Sequence, residues 1–320
     1  MSPHDGFEVA IFGIEASRWD VHGALAGRQG VWIGEGQLSG ILDAPYESSW
    51  SQTARGGGAT HVRDRYIPRD MTVGFHVNGT GSAVVAPETV AGEREAAFAR
   101  ALTSPPYRWS PTRRTARMRV TTVLSGAREL AIRGTEVPDI DIGSDVLMDS
   151  YVNPLYSLRA GIPFWSSGLV DPRPAFETTS TTGSGTVEVR NPGDVPARYS
   201  IVLTPGDWTI SDPSWSGEAG QVAPGGPHAD RTIDVHVPVA AGGAIVSRDP
   251  RRIPIASASG ENLVSIQQGR FLVYDLPPWT PPTELSISVR NAPAGGARAE
   301  YLIEKLWTRA WGMEAPEVLP

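Results

Sequence analysis

Glycine and proline interrupt this chain at short intervals, and that limits the regular elements it can form. The 320 residues include 35 glycines and 28 prolines, close to a fifth of the chain. Because both residues break helices and favour tight turns, the pattern predicts many short strands joined by turns. Cysteine is absent, so neither disulfides nor thiolate metal sites can reinforce the fold.

The bulk properties limit the class of protein. A chain of 320 residues fits two domains of roughly 100–200 residues each. A net charge of −7 argues against a nucleic-acid-binding face, which would be basic, although DNA could still slide past an acidic wall. No apolar run reaches the ~18–20 residues of a membrane span, and residues 1–6 lack signal-peptide features. We therefore expect no membrane anchor, and synthesis in a cytoplasm without export by the usual route.

The first half of the chain predicts a β domain with one short helix. Residues 89–102 are rich in helix formers and are followed by a serine and two prolines. Residues 47–60 are polar, contain three consecutive glycines and lack periodicity, so we expect a mobile loop there. A half-buried strand is indicated by apolar residues at alternate positions, namely Met71, Val73, Phe75 and Val77.

The second half predicts strands almost throughout. Residues 166–185 are rich in Ser, Thr, Gly and Pro, which is typical of a linker or boundary. From residue 186 onward, apolar and polar residues alternate in several short runs, and this favours a two-sheet β-sandwich. We therefore predict a mainly β protein with an N-terminal domain over 1–165, a boundary over 166–185 and a sandwich over 186–320.

Reactive chemistry is not evident in the sequence. The histidines lack zinc-site spacing, and neither a nucleophile elbow nor a Walker sequence occurs. Asp139 to Asp145 superficially suggest a calcium loop, but the closing glutamate is missing. The alternation of Asp with Ile favours a strand with one solvent-exposed face. Arg55 and the glycines after it lack the helix that would make an anion site specific. We therefore expect no enzymatic activity and no cofactor.

Tryptophan is abundant, with ten residues in the chain. Clustered indoles can form a sugar-stacking platform, or they can seal sandwich ends and interfaces, where burial of a large ring is valuable. We favour the second interpretation because several of them stand beside Pro, Asp or Gly at predicted strand ends. The candidate sandwich anchors are Trp208, Trp215, Trp279, Trp307 and Trp311.

A series of short motifs runs through the second half in a definite order. They are Asn191-Pro192-Gly193-Asp194, Gly206-Asp207-Trp208-Thr209-Ile210-Ser211-Asp212, Asp249-Pro250-Arg251, Gly269-Arg270-Phe271-Leu272, Pro277-Pro278 and Trp307-Thr308-Arg309-Ala310-Trp311-Gly312. In this order they resemble the distal tail proteins (minor tail proteins) of long-tailed phages that infect actinobacteria. The first half is similar more loosely. Two departures are Gly193, where a polar residue is more frequent, and Ala310, where proline is common.

The resemblance implies a structural virion component at the distal end of the tail. Such proteins form a ring, a homohexamer, in which the N-terminal domain is a belt around a channel that passes DNA. Their C-terminal jelly-roll or galectin-like sandwich projects outward. The implied partners are further copies of the chain, the tail tube protein, the tail tip hub protein, and the tape measure and adsorption proteins.

Charge and length point to a candidate ring interface. Residues 47–60 and 63–69 stand beside a strong predicted strand, and exposed strand edges allow sheets to continue between subunits. The candidate interface residues are Arg63, Arg65, Tyr66 and Arg69. The alternative function is a carbohydrate- or receptor-binding tail module, since sandwiches with clustered tryptophans often hold sugars.

Overall fold

The computed structural model describes residues 6–52, 56–79, 87–102, 115–140, 150–267 and 269–315. The chain packs as two compact units. The first comprises Met1–Trp165 together with Thr308–Gly312, and the second comprises Ser166–Trp307 with Met313–Pro320. Strands dominate both units, and this confirms the predicted mainly β fold.

The first unit is built from short strands around one helix. Its described elements are β1 (Glu8–Phe12), β2 (Arg18–His22), β3 (Val31–Ser39), β4 (Tyr46–Ser51), β5 (Thr60–Tyr66), β6 (Arg69–Asn78), α1 (Pro87–Leu102), β7 (Ala116–Thr122), β8 (Gly126–Gly134), β9 (Tyr151–Val152) and β10 (Leu155–Ala160). An antiparallel sheet runs in the order β2-β1-β7-β8-β10-β6-β3, with β9 added to β6. Its end strands, β2 and β3, lie side by side without pairing, so the sheet curls into an open barrel.

The barrel core comes from alternating residues and from one face of the helix. The four residues of the alternation predicted in β6 are all buried, which confirms that strand. Helix α1 confirms the helix predicted over 89–102 and begins at Pro87, because proline suits the first helical turn. Phe98 of α1 is fully buried. Its ring centroid lies 4.6 Å from that of Phe75 and 5.9 Å from that of Tyr156, both edge-on.

Strands β4 and β5 form a two-stranded hairpin, which we call the arm. They pair with one another as a separate sheet, and every residue of both strands is exposed. The prediction of a loop over 47–60 was therefore wrong for residues 47–51, which belong to β4, and for residue 60, which begins β5. Hydrophobic alternation marks strands that bury one face, and because the arm buries neither face, its sequence lacks that signal.

The second unit is a two-sheet sandwich. Its elements are β11 (Trp165–Leu169), β12 (Ala175–Thr178), β13 (Gly183–Asn191), β14 (Ser200–Leu203), β15 (Gly206–Ser211), β16 (Trp215–Ser216), β17 (Ala223–Pro224), β18 (Thr232–Val237), β19 (Ala244–Ser247), β20 (Ile255–Ser257), β21 (Thr280–Arg290), β22 (Ala297–Leu302) and β23 (Glu304–Trp307). The two sheets have the orders β12-β22-β14-β19-β20 and β13-β21-β15-β18. β11 pairs with β23, and β16 pairs with β17.

The sandwich core is apolar and draws on both sheets. Ile201 and Tyr301 come from one sheet, Trp208 and Ile287 from the other, and all four are buried in one cluster. Residues 166–185, predicted as a linker or boundary, begin where the first unit ends and contain most of β11, all of β12 and the start of β13. Serine, threonine and glycine there suit exposed strands as well as loops, so composition alone does not separate the two.

Candidate functional site

The arm has two chemically different faces. Tyr46 pairs with Tyr66, and Trp50 pairs with His61. Because side chains alternate along a strand and directly opposed residues share a face, these aromatic residues lie on one face of the arm. Val62 is the extra residue at a bulge in the register. Tyr46, Trp50 and Val62 are 62%, 61% and 58% exposed, so the aromatic face presents large apolar groups to solvent.

Polar contacts brace this aromatic face. Asp64 accepts hydrogen bonds from the hydroxyl of Ser48 and from the ring of His61, whose Nε2 lies 3.0 Å away. The hydrogen bond from Ser48 and then that from His61 lower the pKa of Asp64. His61 also meets the Trp50 ring edge-on, with centroids 5.2 Å apart. The bracing holds the Trp50 indole in place on the arm surface.

The opposite face of the arm is charged and carries two of the predicted interface residues. Arg65 lies 3.8 Å from Glu47 across the strands, and Arg63 is exposed beyond it. Tyr66, at the base of the arm, packs edge-on against Phe164 with centroids 4.9 Å apart. Sequence reasoning selected the arginines and missed Tyr46 and Trp50, because aromatic residues ordinarily indicate burial and only the structure shows these two exposed.

Arg69, the fourth predicted interface residue, is fully buried inside the first unit. Its guanidinium donates hydrogen bonds to main-chain carbonyl oxygens: to Pro163 at 3.1 and 2.8 Å, to Gly40 at 3.1 Å, to Ile41 at 2.7 Å and to Thr308 at 3.0 Å. Burial lowers the pKa of Arg69 to about 10. Its guanidinium organises its own subunit, so a surface interface can retain only Arg63, Arg65 and Tyr66.

The segment Thr308–Gly312, which we call the strap, belongs to the first unit although it follows the sandwich in sequence. The amide of Ala44 donates to Thr308 at 2.8 Å, and that of Ala310 donates to Leu42 at 3.1 Å. Proline at 310 would lack this amide, and this is a physical reason for alanine there. The Trp311 ring meets the Phe7 ring edge-on, with centroids 5.2 Å apart.

A second buried arginine also binds the strap. Arg128 is 1% exposed and donates to the carbonyl oxygens of Arg309 at 3.0 Å and Gly312 at 2.9 Å. The amide of Gly312 donates to the Ser125 hydroxyl at 2.8 Å. Arg69 and Arg128 thus hold the strap by its main chain, and five residues near the C-terminus complete the N-terminal barrel.

The Asn191 motif in the second unit is a buried turn. The Asn191 side-chain amide donates to the carbonyls of Val195 at 2.9 Å, Leu276 at 3.1 Å and Pro277 at 2.9 Å, and it accepts from the amide of Gly193 at 3.1 Å. A Cβ at Gly193 would come within 2.2 Å of a main-chain oxygen. That close approach explains glycine at this position.

Asp212 joins two of the sequence motifs. It is fully buried, forms an ion pair with Arg231, and accepts hydrogen bonds from the amides of Val273 at 2.8 Å and Tyr274 at 3.2 Å. These bonds fasten the two residues that directly follow the Gly269–Leu272 motif to the end of β15. Both motifs therefore have a structural role in the sandwich.

Asp249 in the Asp-Pro-Arg motif offers a pH test of the second unit. Arg251 binds its carboxylate twice, at 2.9 and 2.7 Å, and lowers the pKa of Asp249 to about 2. A lowered folded-state pKa stabilises the protein above the unfolded value, and that stability is lost as the pH falls toward 2. Because Arg251 is 61% exposed, we expect only about 1 kcal/mol.

The measurement is the free energy of urea unfolding of the wild type and of Asp249→Asn between pH 6 and pH 2. The difference in unfolding free energy between the two proteins should be about 1 kcal/mol at pH 6 and should disappear near pH 2. A difference that stays constant with pH would contradict the assigned ion pair.

The five candidate anchor tryptophans all contact their own chain. Within the second unit, the Nε1 atoms donate from Trp208 to Thr204 at 2.8 Å, from Trp279 to Met313 at 3.1 Å and from Trp307 to Ser167 at 2.9 Å. Trp215 packs partly buried against the sandwich core. Trp311 lies in the first unit, on the strap. These contacts fit packing and leave no set of parallel exposed indoles among the five.

The described residues give little support to the candidate metal site. Among the described residues, no group of three His, Cys, Asp or Glu side chains could hold a metal ion. Of the calcium-loop candidates only Asp139 and Ile140 are described, and Asp139 pairs with Leu155 as an isolated bridge. Arg55 also lies outside the described residues. No described helix is long and apolar enough to cross a bilayer.

Comparison with known proteins gives a structural likeness only. No protein-family model and no curated protein sequence matches the chain. The Dit protein of phage SPP1, described as a paradigm of the hub adsorption apparatus in phages infecting Gram-positive bacteria, matches with a TM-score of 0.55 at 11% identity. That match covers 94% of this chain and 99% of the SPP1 chain. This chain shares its fold.

A second solved structure has the same likeness. A chain of the phage P2 baseplate, in its activated conformation with Ca, matches with a TM-score of 0.50 at 10% identity, covering 94% of this chain and 98% of that one. Both matches extend over both units. Because the identity is so low, they establish the shared architecture and leave the role of this chain to be proposed.

Proposed function

We propose that this protein is a structural component of a phage tail, a distal tail protein that joins the tail tube to the tail tip. The observation that carries the proposal is the match in fold to SPP1 Dit over 94% of this chain and 99% of the other. The ordered motifs of the second half, which resemble distal tail proteins of phages infecting actinobacteria, support it independently. No catalytic step is part of this function.

In the proposed assembly, six copies form a ring whose first units surround a channel and whose second units face outward. The ring passes DNA during infection and contacts the tail tube and tail tip hub proteins, with tape measure and adsorption proteins as further partners. The net charge of −7 suits a channel through which DNA slides without sticking.

The arm supports ring formation in particular. A two-stranded hairpin is marginally stable alone in water, and this one exposes an aromatic face along its whole length. Large exposed apolar groups ordinarily mark an interaction site. A protruding element that contacts a different surface of the next copy makes a heterologous interface, and such contacts close into rings when the rotation allows.

Purified full-length protein should form closed rings. Mass photometry should give about six times the 34.2 kDa chain mass, and negative-stain electron microscopy should show a central channel. A monomer at all concentrations up to about 100 μM would contradict the proposal, since a biological interface of standard size binds more tightly than that.

Replacement of Trp50 by alanine should weaken the ring. A tryptophan at the centre of an interface commonly contributes about 2 kcal/mol or more, which corresponds to a roughly thirty-fold loss of affinity per contact. The concentration at half assembly, measured by mass photometry, should rise by at least that factor. Ser49→Ala, on the charged face of the same strand, is the matched control and should assemble as the wild type does.

A further inference from the structure

The sandwich sheet β13-β21-β15-β18 ends on each side in a strand with no further strand beside it among the described residues. Such edges present main-chain N–H and C=O groups that can pair with another chain, so proteins usually cover them. At β18 the cover is the buried side chain of Gln267. Its amide nitrogen donates to the carbonyl oxygen of His236 at 2.8 Å, and its amide oxygen accepts from the His236 N–H at 2.9 Å. One side chain thus occupies the position of a neighbouring strand.

The other sheet of the sandwich also has a covered edge. Beyond its last strand, β20, the chain turns back on itself, and the amide of Leu263 donates to the carbonyl oxygen of Ile255 at 3.0 Å. The amide of Ser257 donates to the carbonyl oxygen of Glu261 at 2.8 Å. Residues 261–263 therefore lie where a further strand would pair.

The direction of the main-chain groups at β13 follows from the pairing across the first of these sheets. Successive residues of an antiparallel strand point these groups to opposite sides, so opposed pairs are alternately bonded and not bonded. Asp234 is two residues from His236 and likewise points outward from β18. One row of opposed residues crosses the four strands from there, and it consists of Asp234, Thr209, Ser288 and Ser184. Bonding in this row therefore joins Thr209 to Ser288, and Ser184 points away from β21.

The outer edge of β13 is consequently open. Thr186 and Glu188 follow Ser184 at alternate positions, so all three direct an N–H and a C=O outward. Their side chains are exposed, and no described residue binds their main chain at this edge. Residues 183–189 contain neither proline nor lysine, which commonly protect an edge strand. This edge can therefore accept an extended strand from another chain.

The edge is complementary to itself in the antiparallel direction. With Thr186 opposite Thr186 of a second copy, Ser184 of each copy lies opposite Glu188 of the other. Threonine pairs are favourable across strands, and this register opposes no like charges. On the other face of the strand, Val187 lies opposite Gly185 of the second copy, so a branched side chain extends over a residue that has none. The register thus suits both faces of the strand.

We propose that β13 pairs antiparallel with β13 of a second copy of this chain, about a two-fold axis at Thr186. The contact is isologous, because both copies use the same surface, whereas the contacts of a ring are heterologous. It goes beyond the proposed ring and uses residues of the second unit alone. Three opposed pairs bury less surface than a standard interface, so the contact is weak and forms at high protein concentration.

Disulfide trapping tests the register, because the natural chain contains no cysteine. Thr186→Cys places two thiols opposite one another with Cα atoms about 5.5 Å apart, which suits a disulfide. The full-length variant should give disulfide-linked dimers under mild oxidation. Ser184→Cys or Glu188→Cys alone should give none, since four residues of extended strand, roughly 13 Å, separate the like positions. A mixture of these two variants should be trapped.

The matched control is Asp234→Cys, at an exposed and outward-pointing position of the covered edge strand β18. Because Gln267 covers that edge, this variant should give less than a tenth of the dimer obtained with Thr186→Cys. The wild type provides a readout without cysteine. Amide exchange of residues 184–188 should slow as the protein concentration rises, while that of β18 should stay constant.

Three outcomes would overturn the inference. Equal trapping of Thr186→Cys and Asp234→Cys would show random collision of exposed thiols. Trapping of Thr186→Cys by Ser184→Cys in preference to itself would refute the axis at Thr186. No trapping of any variant, with exchange independent of concentration, would refute a second copy as the partner. Rings in the microscope would leave the proposed function intact in each case, and trapped dimers without rings would refute that function alone.

Discussion

Truncation of the chain after Trp307 should destabilise the first unit, although the deletion begins more than 140 residues beyond Trp165. The truncation removes the strap, leaving the buried guanidinium groups of Arg69 and Arg128 without carbonyl acceptors that they now bind. A buried charged group that loses its partners costs several kcal/mol. Because small domains are stable by only about 5–15 kcal/mol, the barrel should lose most of its protection.

Hydrogen exchange measured by mass spectrometry is the suitable readout, since a chain of two units does not give one simple melting point. Amides of β3 and β10 should exchange at least a hundred-fold faster in the truncated chain. A chain that ends at Glu314 keeps the strap and should behave as the wild type does. Unchanged protection in the shorter chain would refute the structural role of the strap.

A point variant keeps this prediction testable if the truncated chain fails to fold. Arg69→Met keeps an unbranched apolar stem and removes the five donated hydrogen bonds of the guanidinium. We expect a loss of about 3–5 kcal/mol in the stability of the first unit, because carbonyl groups of several segments lose their donor. Arg117→Met, at an exposed arginine paired with Glu129, should cost less than about 1 kcal/mol.

Substitution of Asp212 by alanine should have the largest effect in the second unit. It leaves Arg231 without its buried partner and leaves the amides of Val273 and Tyr274 without an acceptor. Breaking a buried pair by removing one partner typically costs about 3–5 kcal/mol. Urea unfolding should show this loss of stability. Hydrogen exchange should show faster exchange of the amides in β15 and in residues 269–274.

Asp234 provides the control for Asp212 within the same unit. It accepts a hydrogen bond from the Thr209 hydroxyl on the exposed surface of β15 and β18. Asp234→Ala should therefore change the unfolding free energy by less than about 1 kcal/mol. Equal effects of the two alanine variants would show that burial of Asp212 does not determine its contribution.

The sequence predicted elements that bury one face more successfully than elements that bury none. The alternation of Met71, Val73, Phe75 and Val77 and the composition of 89–102 identified a core strand and the helix packed on it. The arm escaped prediction because period-two alternation arises from burial on one side, and the arm is exposed on both. Its tryptophan and tyrosine are visible in the sequence, but their exposure is a property of the tertiary structure.

The sequence identified the candidate interface residues only in part, because contacts between distant segments decide which of them are exposed. Arg63, Arg65 and Arg69 look alike in sequence, yet two are exposed and one is fully buried. What distinguishes Arg69 is a set of carbonyls from Gly40, Pro163 and Thr308, which are far apart along the chain. No local pattern encodes such long-range contacts. The strap was likewise assigned to the sandwich by its position in sequence.

The return of the strap makes residues 166–307, which hold all the strands of the sandwich sheets, an insertion within the barrel's polypeptide. The chain enters the second unit along β11 and leaves it along β23, and these two strands pair with one another. Paired strands lie about 5 Å apart, so the points of entry and exit are close together. A different domain with similarly close ends could therefore replace the sandwich without breaking the barrel. Exchange of the coding sequence for residues 166–307 alone would therefore change the sandwich and keep the barrel strands and the strap.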